Sequence, residues 1–136
     1  MHATEHGERV LTELDHVRLK RLDQQPDGGL PEELAALLDS QDLVPSAEVP
    51  ADVVTMNARF ELMDLDTCER RPLALCYPRD ADPARGRVSV LSPLGTALLG
   101  QRAGAVVRWR LPGGEARAAL LAALLYQPEA SGDLVT

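Results

Sequence analysis

Histidines, cysteines and carboxylates are the side chains of this sequence that could do chemistry, and their spacing limits what they can do. His2, His6 and His16 all precede residue 17. A nucleophilic triad needs a Ser or Cys, a His within hydrogen-bond reach and a third group to orient it. Such a triad would require the N-terminal segment to fold back across the chain. His2 and His6 would share a face only if their segment were helical. Cys68 and Cys76 stand eight positions apart, and the paired Cys/His spacings of a structural zinc site are missing. Two reduced thiols in or near a sheet are expected, and no metal. Lys20 is the only lysine and belongs to no G-x-x-x-x-G-K-[ST] loop, while Gly28-Gly29 and Gly113-Gly114 read as turns. The expectation is a binding protein with no catalytic residues and no cofactor. Asp23, Asp27, Glu32 and Glu33 form one acidic group. It could engage a metal or a basic channel, or simply reflect the preference of turns and helix starts for carboxylates.

The elements that must position these residues fall into two textures. Thr12-Glu13-Leu14-Asp15 marks a helix start, with Thr12 as N-cap and Asp15 at N3, and the helix runs to about Gln24 with Leu14, Val17 and Leu22 on one face. Pro26-Asp27-Gly28-Gly29 breaks it. Pro31, Glu32 and Glu33 open a second helix with a Leu34/Leu37/Leu38 stripe, which makes a short helical hairpin to about residue 43. Pro45 and Pro50 stiffen the chain beyond it, so the boundary is set between 1–48 and 49–136. Downstream, alternating or β-branched runs predict strands over 53–57, 59–65, 73–77, 87–91 and 106–111. Pro93 to Leu99 reads as a short helix closed by Gly100. For 115–126 the Ala/Leu content favours helix, whereas the preceding Pro112-Gly113-Gly114 turn favours a returning strand.

Composition narrows the function classes. The chain has 136 residues, 45% hydrophobic and 26% charged, which suits one compact domain with an appendage. No apolar run approaches the ~20 residues of a membrane span, and the N-terminus lacks the pattern of a secretory signal, so a cytoplasmic protein is expected. Its net charge of −7 disfavours independent nucleic-acid binding and suits a basic partner.

An ordered series of segments carries a specific likeness. Asp52-Val53-Val54-Thr55-Met56-Asn57, Tyr77-Pro78, Val88 to Gly100 with Ser92-Pro93-Leu94-Gly95 inside it, Trp109 to Gly114, and Tyr126-Gln127-Pro128-Glu129-Ala130-Ser131-Gly132-Asp133 together resemble the Gre-factor superfamily (GreA/GreB) of bacterial transcription elongation factors. Within it, the likeness is to the branch of regulators of nucleoside diphosphate kinase. The match is dense from Val49 onward and looser before residue 45. The resemblance implies an α+β fold, with an FKBP-like curved antiparallel sheet on a short helix behind a short coiled-coil hairpin, and it decides 115–126 as strand. It implies docking at the rim of the RNA polymerase secondary channel, chiefly through Ser92, Pro93 and Leu94, with Ala97 and Leu98 either joining them or facing the core, Arg102 and Arg108 as rim contacts and the hairpin tip pointing inward. Cleavage-promoting members carry an acidic pair, D-x-x-[ED], at the tip of a long arm. Here Asp27 leads to Leu30 and Asp23 to Pro26, and helices of roughly 12 residues reach only ~18 Å. The expected function is therefore competition with Gre-type factors by a monomer that does not stimulate transcript cleavage.

Two other functions compete. An FKBP-like frame suggests a prolyl isomerase, but that pocket needs several aromatics, and Phe60, Tyr77, Trp109 and Tyr126 are all this chain has. Direct regulation of nucleoside diphosphate kinase is the other, and no residue pattern favours it.

Overall fold

A computed structural model describes residues 9–23, 29–39 and 43–132, with Asp23 described by its backbone alone. The fold is α+β. Strand β1 (Leu11–Thr12) leads into helix α1 (Glu13–Asp23), and helix α2 (Glu32–Leu38) precedes β2 (Leu43–Val44). β1 and β2 pair in parallel, an element that the sequence did not suggest. The main sheet uses β3 (Arg59–Asp64), β4 (Arg70–Cys76), β5 (Arg87–Ser89), β6 (Val106–Arg110) and β7 (Ala116–Tyr126), in the order β5-β4-β3-β7-β6. Helix α3 (Pro93–Leu98) follows β5, and α4 (Pro128–Ser131) follows β7.

Thr12 caps α1 as expected, its hydroxyl accepting the Asp15 N–H at 3.0 Å. The buried stripe of α1 differs from the expected one. Leu11 and Leu19 are buried, Leu14 and Leu22 are half-buried, and Val17 is 47% exposed. Leu11, Asp15 and Leu19 repeat at four-residue spacing, so one core-facing position of the hairpin is a carboxylate. On α2, Leu34 and Leu38 are buried and Leu37 half-buried, as the stripe predicted.

The long Ala/Leu segment 116–126 is a strand despite its helical propensity. It lies between β3 and β6 and bonds to both, a tertiary context that overrides local preference. The expected strand over 53–57 does not exist. Val53, Val54, Thr55 and Met56 are all buried, so there is no inward–outward alternation, and the backbone bonds instead to Gln101, Gly100 and Leu75. Asn57 then turns the chain at φ +70°. The sheet is also not antiparallel throughout: β4 and β5 pair in parallel, because the chain crosses Pro78–Arg85 before returning alongside β4. The strand expected over 87–91 ends at Ser89.

One hydrophobic cluster unites Leu11, Leu19, Leu34 and Leu38 of the N-terminal part with Phe60, Leu75, Leu98, Leu99, Val107 and Leu121 of the sheet and α3. Cys76 is buried on β4, Cys68 is exposed in the β3–β4 turn, and both are free thiols. No helix among the described residues is long and apolar enough to cross a membrane.

Candidate functional site

The turn from β5 into α3 is fixed at both ends. Ser92 is its N-cap: the hydroxyl donates to the Ser89 carbonyl at 2.7 Å and accepts the Gly95 N–H at 3.0 Å. Pro93 occupies the first helical turn, where its missing N–H is no loss. Thr96, buried, donates its hydroxyl to the Val90 carbonyl at 2.8 Å. Gly95 lies so close to the strand that a Cβ would overlap the Ser89 carbonyl oxygen and come within 2.9 Å of the Val90 Cα. A glycine is therefore required inside this helix by contact with a backbone that cannot rotate away. At the far end, the Arg9 guanidinium donates to the Leu99 carbonyl at 2.7 and 3.0 Å and also to the Thr96 carbonyl. It covers carbonyls that the helix leaves without partners. Burial lowers the Arg9 pKa, and the nearby Glu33 charge opposes that effect.

This arrangement sorts the expected site residues. Pro93 is exposed, and Ser92, Leu94 and Ala97 are half-buried. Leu98 is 0% exposed and belongs to the core, so a direct contact through its side chain is ruled out by burial. Leu94 helps line a recess of about 200 Å³ with Leu62, Leu73, Trp109, Arg71 and Arg117. Asp64 and Glu69 add carboxylates, so the recess combines an apolar floor with both charge signs. Asp64 accepts the Thr67 and Asp66 N–H groups at 3.0 and 2.7 Å, bonds that hold its carboxyl below the usual range.

Arg102 is exposed near Val53. Arg108 is exposed too, but its neighbours Val107 and Trp109 point to the core and the recess, so it faces the opposite side of the sheet. As a rim contact for α3 it is misplaced, because strand alternation turns it away. Glu32 and Glu33 are exposed on the first turn of α2. Asp23 ends α1, its side chain undescribed, and Asp27 lies outside the described residues. The expected acidic tip is thus located only in its second half.

A second group of polar side chains joins α1 to the rest. Asp15 accepts the Met56 N–H at 3.0 Å, and Thr55 donates to Glu129 at 2.7 Å. Burial pushes the Asp15 carboxyl up to about 6. The Met56 hydrogen bond opposes the rise and the Glu129 charge adds to it. The Tyr77 hydroxyl is buried beside Arg18 and is pushed up to about 12 by burial and by the Asp15 charge. Gln127, 3% exposed, donates to the Pro50 and Val53 carbonyls at 2.7 and 2.8 Å and accepts the Ala130 N–H. Every polar atom of its amide side chain is engaged, which explains a buried Gln in the C-terminal motif.

Sequence reasoning missed Arg9, Asp15 and the recess. Gly95 carried a signal, being a glycine inside a helical segment. Arg9 carried none, because it lies where no periodicity exists.

Comparison with known proteins puts the chain among transcription-elongation-factor-like regulators. The family model "Transcription elongation factor, GreA/GreB, C-term" matches residues 49–123, and the chain belongs to this family. It is 41% identical over 127 residues to the "Regulator of nucleoside diphosphate kinase" of Escherichia coli K12, covering 91% of this chain and 93% of that protein. It is 30% identical over 112 residues to the "Transcription elongation factor GreA" of Rhodopseudomonas palustris TIE-1, covering 82% of this chain and 70% of the relative. A solved "Prokaryotic transcription elongation factor GreA/GreB from Nitrosomonas europaea" superposes with a TM-score of 0.72 at 31% identity, over 88% of this chain and 98% of that one. These relatives are named as regulators or elongation factors, not as enzymes.

Proposed function

We propose that this protein is a cytoplasmic, monomeric regulator that docks on RNA polymerase at the rim of the secondary channel and competes there with Gre-type factors without stimulating transcript cleavage. The observation that carries the reading is the presentation of the α3 start. Pro93 is exposed and Leu94 borders the recess with Trp109, while Ser92, Gly95 and Arg9 hold the helix rigidly behind them. A preformed apolar anchor beside charged groups is suited to protein recognition, because little entropy is lost when it is covered.

In this reading residues 49–136 are the FKBP-like docking unit and residues 1–48 a short coiled-coil-type arm. Helices of 11 and 7 residues reach only ~16 and ~10 Å, which supports regulation without cleavage. The net charge of −7 supports a polymerase contact made without independent nucleic-acid binding.

The test is binding of the purified protein to core RNA polymerase, with a Gre factor added as competitor. Saturable binding that the competitor displaces is expected, and Leu94→Asp should abolish it while the melting temperature stays within a few degrees. No binding at micromolar concentration, or transcript cleavage stimulated by this protein alone, would sink the reading. The printed name of the Escherichia coli relative supports one alternative, a direct complex with nucleoside diphosphate kinase, and a pull-down with the purified kinase separates the two.

A further inference from the structure

Sheet register reveals a second surface, on the side away from α3. Met63 pairs with both Arg70 and Leu120, and Leu120 pairs with Val106. These four side chains therefore form one row across β4, β3, β7 and β6, on the face opposite Leu62, Val107 and Ala119 of the core. Val106 is 40% exposed, and Met63 and Leu120 are only half-buried, so the apolar middle of the row meets solvent. At ~4.8 Å between strands it is about 10 Å wide. Alternation places Arg108 and Arg110 beside it on β6 and Arg59 on β3, all exposed. On these four strands the outward face carries Arg59, Arg70, Arg108 and Arg110 against one carboxylate, Glu61, which Arg70 approaches at 3.4 Å. A chain of net charge −7 thus gathers a local positive surplus around an apolar strip.

We propose that this outer sheet face is a second docking surface, and that it receives an acidic segment of a partner protein carrying apolar side chains among its carboxylates. Arginine and methionine around an apolar centre form the composition of protein interfaces, and the guanidiniums complement carboxylates. A nucleic acid is disfavoured by the charge of the whole chain and by the lack of a free stacking platform. Tyr126, the aromatic on this side, already lies under Arg59, 4.9 Å from its ring centroid. The face is opposite the recess beside Leu94, so one molecule can hold two partners at once. The inference does not depend on what docks at α3.

The experiment titrates the full chain with a short fluorescent peptide of alternating glutamate and leucine. In parallel it titrates a single-stranded RNA oligonucleotide and follows self-association by sedimentation. Peptide binding that weakens with salt, and on the order of tenfold in the Arg70→Glu/Arg108→Glu double variant, is expected. Arg21→Glu, exposed on α1 on the core side of the sheet, should leave it unchanged. Should the double variant unfold, Val106→Thr tests the same strip at constant shape and should weaken binding. The proposal is overturned by peptide binding indifferent to these substitutions or by no peptide binding. It is equally overturned by tighter binding of the RNA, or by a dimer that the reversal dissolves.

Discussion

The α3 turn and the N-terminal hairpin share one hydrophobic core but are held in place by opposite means. At α3, neutral hydrogen bonds from Ser92 and Thr96 and direct contact of Gly95 with the strand backbone leave one possible position. At the hairpin, the inward position between Leu11 and Leu19 belongs to Asp15, a carboxyl that loses water on folding and regains only part of that loss from the Met56 N–H. A presented surface works best when rigid, because ordering it on binding would consume affinity. The hairpin instead sets a buried carboxyl against the Met56 backbone, beside leucines that join the common core. Arg9 spans the two regions, since it precedes the hairpin and covers the end of α3.

The largest effect is expected where the contrast is sterically absolute. Gly95→Ala should cost about 3 kcal/mol or more, because neither Ser89 nor Val90 can yield backbone to a methyl group. Thermal and urea unfolding read it directly, and a change below about 1 kcal/mol would mean that α3 is free to shift.

Asp15→Asn sharpens the other side of the comparison through pH. The folded carboxyl titrates at about 6 against an ordinary 3.8, so the folded state binds the proton more tightly. The resulting stabilisation is fully present below about 3.8 and is lost as pH rises through about 6. A rise of about two pH units at ~1.4 kcal/mol each corresponds to ~2–3 kcal/mol. The stability of the Asn variant relative to the parent should therefore increase by that amount between pH 4 and pH 7.5. Parallel stability profiles for the two proteins would contradict the assignment of Asp15 as a buried acid.

Arg9→Ala should have the smallest effect, ~1–2 kcal/mol. Losing charge-assisted bonds to Leu99 and Thr96 is partly offset by no longer burying a guanidinium. Hydrogen exchange should show faster opening at Gly100 and Gln101 with α1 little changed, and equal changes in both regions would remove Arg9 as a link particular to α3.

Much of this contrast was legible in the residues. Thr12, Pro93 and the α2 leucine stripe announced their elements, since capping chemistry and helical spacing act over a few neighbouring positions. Residues 53–57 misled, because a run of β-branched and apolar side chains signals burial, and burial on all sides does not require a sheet. Asp15 read as a favourable first-turn carboxylate; only the approach of Met56, forty-one positions later, turned it into a buried acid.

By itself the sequence determined the family, the order of most elements and the turn from Ser92 into its helix, all properties carried by short-range pattern. Tertiary structure decided that 116–126 is a strand, that Leu98 is core, that Arg108 faces away from α3 and that Arg9 caps it. Each of these depends on which distant backbone supplies the partner. That choice is made by the packing of the whole core, and no local propensity encodes it.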